Sequence, residues 1–212
     1  MDILKYLFGK KEDNKLLHDA FEHVIKILDD DEVQMQNTVP MLREVIRKRP
    51  AVDMIKGGKG PFGLVETNPI PVNGPIGQIS YLSKLLTDDS NEQMLFHRIG
   101  AIHTVDVFEA VTFDSNKWFI LYVDFYHPRR SRLTPEGFHF SEIPAYFSGF
   151  HVYCKDFPYN FKKIKEEVRS DFSIAYIPFD YISEQLARKI YQRPESHTEK
   201  LMAINSRLTS RS

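Results

Sequence analysis

Between Lys15 and Leu28 the apolar residues fall at Leu16, Leu17, Ala20, Phe21, Val24, Ile25 and Leu28. Spacing by threes and fours predicts a helix with one apolar stripe. The acidic run Asp29–Glu32 reads as its solvated exit, because a helix C-terminus disfavours negative charge. Thr38 stands where it could N-cap a second helix, with Pro40 in the first turn and Met41, Leu42, Val45 and Ile46 on one face. Arg47, Lys48 and Arg49 suit that helix's C-terminal end, and Pro50 stops it. Asn73 occupies the cap position of a third helix, with Pro75 near its start and Ile76, Ile79, Leu82, Leu85 and Leu86 as its stripe.

From Met94 onward the period shifts toward two. Met94–Ile99, Val105–Phe113 and Trp118–Tyr126 read as strands, the last two joined by a turn at Asp114–Lys117. Trp118–Tyr126 is apolar on both faces, which predicts a central strand covered on both sides. A polar loop, His127–Gly137, leads to an aromatic segment, Phe138–Phe157, read as strand pieces. Phe161, Ile164 and Val168 mark an amphipathic helix, Phe172–Ile177 a strand, and Asp180 caps a helix reaching Tyr191. A last helix is expected near Glu199–Arg207.

These patterns predict an α+β fold: a mostly antiparallel sheet of about four to six strands centred on Trp118–Tyr126, with N-terminal and C-terminal helices packed around it. The chain reads as one domain, 1–212. Its parts are a helical region (1–49), a Gly/Pro-rich ordered wrap (50–77), a sheet-containing body (78–192) and a polar tail (193–212). The wrap holds six of the ten glycines and five of the twelve prolines, yet it also carries Phe62, Leu64, Val65, Ile70, Val72 and Ile76. Apolar residues at that density argue for a segment lying across the body.

Composition narrows the function classes. With 28 basic against 29 acidic residues the net charge is −1, which argues against nucleic acid as a partner. The single cysteine, Cys154, excludes an intrachain disulfide and fits a reducing, cytoplasmic setting. No window reaches the roughly 18 apolar residues that span a bilayer, so membrane insertion is not expected. At the N-terminus Asp2 and Lys5 interrupt the apolar residues, as in a short amphipathic helix and unlike a secretory signal.

The sharpest local feature is Asp124-Phe125-Tyr126-His127-Pro128-Arg129-Arg130-Ser131-Arg132, where an apolar strand ends in a carboxylate and opens into a basic loop. Catalytic groups often sit where a loop leaves a rigid scaffold. In an enzyme acting on an anionic or phosphorylated substrate, His127 would be the general acid or base. Asp124 would orient it or bind a metal, and Arg98, Arg129, Arg130 and Arg132, with His97, would hold the substrate's negative charge. The ordinary alternative is a solvated loop whose arginines pair with nearby acids such as Glu136.

His97, His103, His127, His139 and His151 all fall in the sheet region. Two of them with Asp124 would make a His–His–carboxylate metal set, although no i, i+4 helical pair accompanies them. Lys56–Gly63 is glycine-rich but lacks the Gly-Lys-Ser/Thr ending of a phosphate loop, and no Gly-x-Ser-x-Gly elbow occurs. No cofactor is implied. Phe138, Phe140, Tyr146, Phe147, Phe150, Tyr153, Phe157 and Tyr159 give a density of rings suited to core packing or to a protein-binding surface. Without a catalytic motif, the first expectation is a non-catalytic protein-binding or accessory module acting through that surface. The enzyme is the second.

Overall fold

A computed structural model describes residues 25–114, 116–142, 147–160 and 190–208. The expected first helix lies mostly outside these residues. So do the amphipathic N-terminus and the helix, strand and helix expected between 161 and 189. The described elements are α1 (Asp31–Gln36), α2 (Pro40–Arg47), β1 (Ile70–Pro71), α3 (Gly74–Ser83), β2 (Leu85–Thr87), β3 (Met94–Ile102), β4 (Val105–Thr112), β5 (Trp118–Asp124), β6 (Phe138–Phe140), β7 (Gly149–Phe150) and α4 (Glu195–Asn205). Helices and sheet together make an α+β fold.

The five-stranded sheet has the order β1-β5-β4-β3-β7, and β2 pairs antiparallel with β6. Pairings β3–β4 and β4–β5 are antiparallel, whereas β1–β5 and β3–β7 are parallel, so the sheet is mixed. Its centre is β4, buried at every position, and not the strand at Trp118–Tyr126. Apolarity on both faces of β5 reflects two cores, one taking Leu121 and Val123 and the other Tyr122 and Ile120, while β1 takes the edge beside it. Alternation along the strands sends Met94, Phe96, Phe108, Ala110, Leu121 and Val123 into one core with Tyr81 and Leu82 of α3. Val105, Val107 and Tyr122 meet Ile204 of α4 in another, and Ile120 packs against it.

Residues 50–77 are stitched to the outer edge of β5. Tyr122 N–H donates to the Gly63 carbonyl at 2.9 Å, Val72 N–H to Asp124 at 2.9 Å and Gly74 N–H to Phe125 at 2.8 Å. In return His127 N–H donates to Val72 at 3.0 Å and Ser131 N–H to Pro71 at 2.8 Å. An unpaired strand edge is a template for pairing with another chain, and this segment covers it. Gly63 reaches the edge with φ +72°, a conformation that side-chain-bearing residues rarely adopt.

Four helix ends add to or differ from the sequence pattern, each for a local reason. The acidic run does follow the end of a helix, at residues 25–29, and it also starts α1: Asp30 Oδ1 accepts from Glu32 N–H at 2.8 Å and Val33 N–H at 3.1 Å, where the dipole favours negative charge. Thr38 does not cap α2; its hydroxyl donates to the Gln34 carbonyl at 3.1 Å and Val39 takes the cap position. Asn73 stands at the cap of α3 but its amide donates to the Asp31 carbonyl at 3.0 Å, tying α3 to α1. Leu85 and Leu86 leave the helical stripe for β2.

Gly149 lies against the Phe96 ring, and a β-carbon built there would overlap three ring atoms. Phe96 is fully buried, so the ring has little room to yield. The Gly149→Ala variant is expected to lose about 1–3 kcal/mol through overpacking. This is read as a fall in Tm of about 2–4 °C for each kcal/mol. An unchanged Tm would mean that Phe96 repacks freely.

Candidate functional site

The sheet holds a carboxylate that strand alternation alone condemns to burial. Glu109, in the middle of β4, is 1% exposed and lies opposite His97 of β3 in register. A buried charge persists only when it is paired and hydrogen-bonded. Here His97 Nε2 reaches Glu109 Oε2 at 2.9 Å and His197 Nε2 of α4 reaches Oε1 at 3.1 Å. Arg193 closes the set as a fork, Nε to Oε1 at 2.7 Å and Nη2 to Oε2 at 3.0 Å. A carboxylate offers about four lone-pair positions, and four donors occupy them.

The Cys154 backbone N–H donates to His97 Nδ1 at 3.0 Å, so that nitrogen is the acceptor and Nε2 carries the hydrogen given to Glu109. The His97 ring stacks on Phe157 at 4.2 Å, and the Arg193 guanidinium lies 4.9 Å from the Trp118 ring centre. Burial alone would raise the Glu109 pKa. Hydrogen bonds from His197, His97 and Arg193 outweigh it and hold the carboxyl well below the usual carboxylate range. Burial pushes the Cys154 thiol up to about 12, which leaves no thiolate for nucleophilic work at neutral pH.

Asp124 and His127 do come together at the end of β5. His127 Nδ1 donates to the Pro50 carbonyl at 3.1 Å, and its Nε2 lies 3.4 Å from Asp124 Oδ2 and has no hydrogen-bond partner among the described residues. Their side chains are 5% and 9% exposed. His97 and Arg98 are not brought to this pair. Adjacent on β3, they serve different partners: His97 serves Glu109, while Arg98 Nε donates to Asp106 Oδ1 at 2.7 Å. Gln78 of α3 donates to the other Asp106 oxygen at 2.7 Å.

The loop arginines also find internal partners, though not Glu136. Arg129 pairs with Asp53 at 2.6 Å, and the same Asp53 oxygen accepts the Arg132 backbone N–H at 2.9 Å. Hydrogen bonds from Arg129 and from the Arg132 backbone lower the Asp53 pKa. Arg130 pairs with Asp31 at 2.7 Å and donates to the carbonyls of Leu28 and Asp29. Those carbonyls end the helical residues 25–29, where a cation is favoured.

The remaining histidines stand apart. His103 sits at positive φ beside the β3–β4 turn, and His139 bridges Asp88 and Asn91 at 2.8 and 2.9 Å. His151 lies beside Phe108 and Phe125, where burial lowers its basicity. Among the described residues no group of three or more His, Cys, Asp or Glu side chains is placed to hold a metal ion. Of the eight aromatics in 138–159, Phe138, Phe147, Phe150 and Phe157 are buried and Phe140 half-buried. Tyr153 and Tyr159 are 47% and 48% exposed, and Tyr146 is outside the described residues.

The sequence reading passed over Glu109, Arg193 and His197. A signal existed for the first: a lone glutamate inside the apolar strand Val105–Thr112 has to find donors. Comparison with family models, with curated proteins and with solved structures finds no match.

Because the folded chain holds Glu109 at a lowered pKa, its stabilisation is fully present above the ordinary value of 4.5 and is lost as pH falls toward the folded value. Wild type is therefore expected to lose stability between about pH 5 and pH 3 more steeply than Glu109→Gln, whose amide does not titrate there. Urea melts at the two pH values read the difference. Parallel pH profiles would remove Glu109 from the acid response. At neutral pH Glu109→Ala, which strands Arg193 and two histidines, is expected to cost about 3–5 kcal/mol.

Proposed function

We propose that the chain is a non-catalytic protein-binding or accessory module of the cytoplasm, with helices from both ends packed around the sheet and an aromatic-rich surface offered to a protein partner. The supporting observation is exposure of apolar side chains beside the buried Glu109 network. Val152 and Tyr153 are 40% and 47% exposed, and they directly precede Cys154, whose N–H holds His97. Tyr159 takes the Tyr191 N–H on its hydroxyl at 2.6 Å, next to Ile190, which is 86% exposed. Rings of this kind are enriched at interfaces because one end is apolar and the other hydrogen-bonds. Among the described residues no helix is long and apolar enough to cross a membrane.

The test uses immobilised full-length chain and an extract of its source cells. Wild type is expected to retain a polypeptide in near-stoichiometric amount, and Val152→Glu with Ile190→Glu is expected to lose it while melting at the wild-type temperature. Equal retention by both proteins would contradict the reading, as would the absence of any stoichiometric partner.

One observation favours a second reading, an enzyme acting on an anionic or phosphorylated substrate: the unpartnered His127 Nε2 facing Asp124. In it His127 exchanges the proton and Asp124 orients the ring. Hydrolysis of p-nitrophenyl phosphate by wild type, abolished in His127→Asn, would support it. No turnover would count against it.

A further inference from the structure

Tyr81 of α3, Lys84 just past its end, Phe140 of β6, the loop residues Arg130, Ser131 and Arg132, and Asp31 of α1 line a cavity of about 330 Å3. Three cations and two rings face one carboxylate. Arg130 is a fixed wall: Asp31, the Ser80 hydroxyl at 2.7 Å and the Leu28 and Asp29 carbonyls hold it. Lys84 pairs with Asp29. Arg132 differs from both, because its backbone N–H is bound by Asp53 while its exposed guanidinium makes no ion pair among the described residues.

We propose that this cavity binds a small ligand made of an aromatic ring bearing one anionic group, phosphate or carboxylate. The anion lies between Arg132 and Lys84, and the ring lies against Phe140. Charge at the site supports the anion. Counting Asp29 and the Arg129–Asp53 pair with the lining residues, four cations (Lys84, Arg129, Arg130 and Arg132) face three carboxylates (Asp29, Asp31 and Asp53), so one positive charge remains in excess. Burial, and then repulsion from Arg130, pushes the Lys84 pKa down in spite of Asp29, so the interior favours an added negative charge. A guanidinium fork accepts either oxyanion in two hydrogen bonds.

The walls support the ring. Tyr81, 1% exposed, donates its hydroxyl to the Leu133 carbonyl at 2.5 Å and forms a buried backing, so the ring surface open to a ligand is that of half-buried Phe140. Tyr81 and Phe140 meet edge to face at 5.2 Å, an arrangement that a third ring can extend. A volume near 330 Å3 is at the small end of ligand pockets and is far more than an inorganic ion fills. The inference does not depend on either reading of function above, since neither Tyr153 nor His127 lines the cavity.

The experiment titrates the full-length chain at low ionic strength with phenyl phosphate, benzoate, inorganic phosphate and phenol, following binding calorimetrically. At least one of phenyl phosphate and benzoate is expected to bind saturably, and the one that binds names the anion. Inorganic phosphate and phenol are expected to bind at least about tenfold more weakly, each lacking one half of the recognition. Arg132→Gln, at an exposed position, is expected to melt as wild type and weaken the aryl anion at least about tenfold. Arg207→Gln, remote from the cavity and paired with Glu66, is expected to leave binding unchanged. Failure of both aryl anions to bind would overturn the proposal. So would inorganic phosphate binding as tightly as phenyl phosphate, or equal losses in the two arginine variants.

Discussion

A carboxylate buried at the middle of the central strand is the constraint around which much of the described fold is arranged. Glu109 cannot reach water, and one histidine from the neighbouring strand is not enough to satisfy it. The chain therefore has to return, 84 and 88 residues later, with Arg193 and His197. That return fixes α4 against the sheet, where Ile204 joins Val107 and Tyr122. It also draws in residues 154–157, through the Cys154 N–H and the Phe157 ring on His97. Removing any one donor leaves a buried lone pair, and removing Glu109 strands the Arg193 cation, so the elements of this face are coupled by electrostatics as well as by packing.

The other side of the sheet is secured differently. There the helix-and-wrap layer is joined by backbone hydrogen bonds to the β5 edge and by single polar side chains reaching into it, Gln78 to Asp106 and Arg130 to Asp31. Arginines that looked available for a substrate tie segments together: Arg129 holds Asp53, Arg130 ends a helix and Arg98 balances Asp106. Arg132, which also lines the cavity, makes no side-chain ion pair among the described residues, and its charge is felt by Asp53.

The strands from Met94 to Asp124 were legible because a period of two over seven or more residues has one physical meaning, a sheet with alternating faces. Their order was not. The apolar length of β5 suggested a centre, but β4, with Asp106 and Glu109 inside it, holds that place, since charges can be buried when partners arrive from elsewhere. Asp124 and His127 were legible as a pair, being three residues apart at a strand end. The Glu109 network was not, because Arg193 and His197 lie in a segment whose composition suggested only a polar tail. The acidic run after Leu28 was legible by half: it follows the end of helical residues 25–29, and it also opens α1, which its charge suits and which the apolar spacing does not mark.

Hydrogen exchange on Glu109→Ala tests most directly whether this carboxylate is what holds the C-terminal segment to the sheet. Amides of Glu195–Asn205 and of Cys154 are expected to exchange much faster than in wild type. Those of Val72 and His127, on the wrap and at the β5 edge, are expected to keep their protection. Unchanged protection along α4 would contradict the account, and would mean that packing around Ile204 holds the helix without the buried charge.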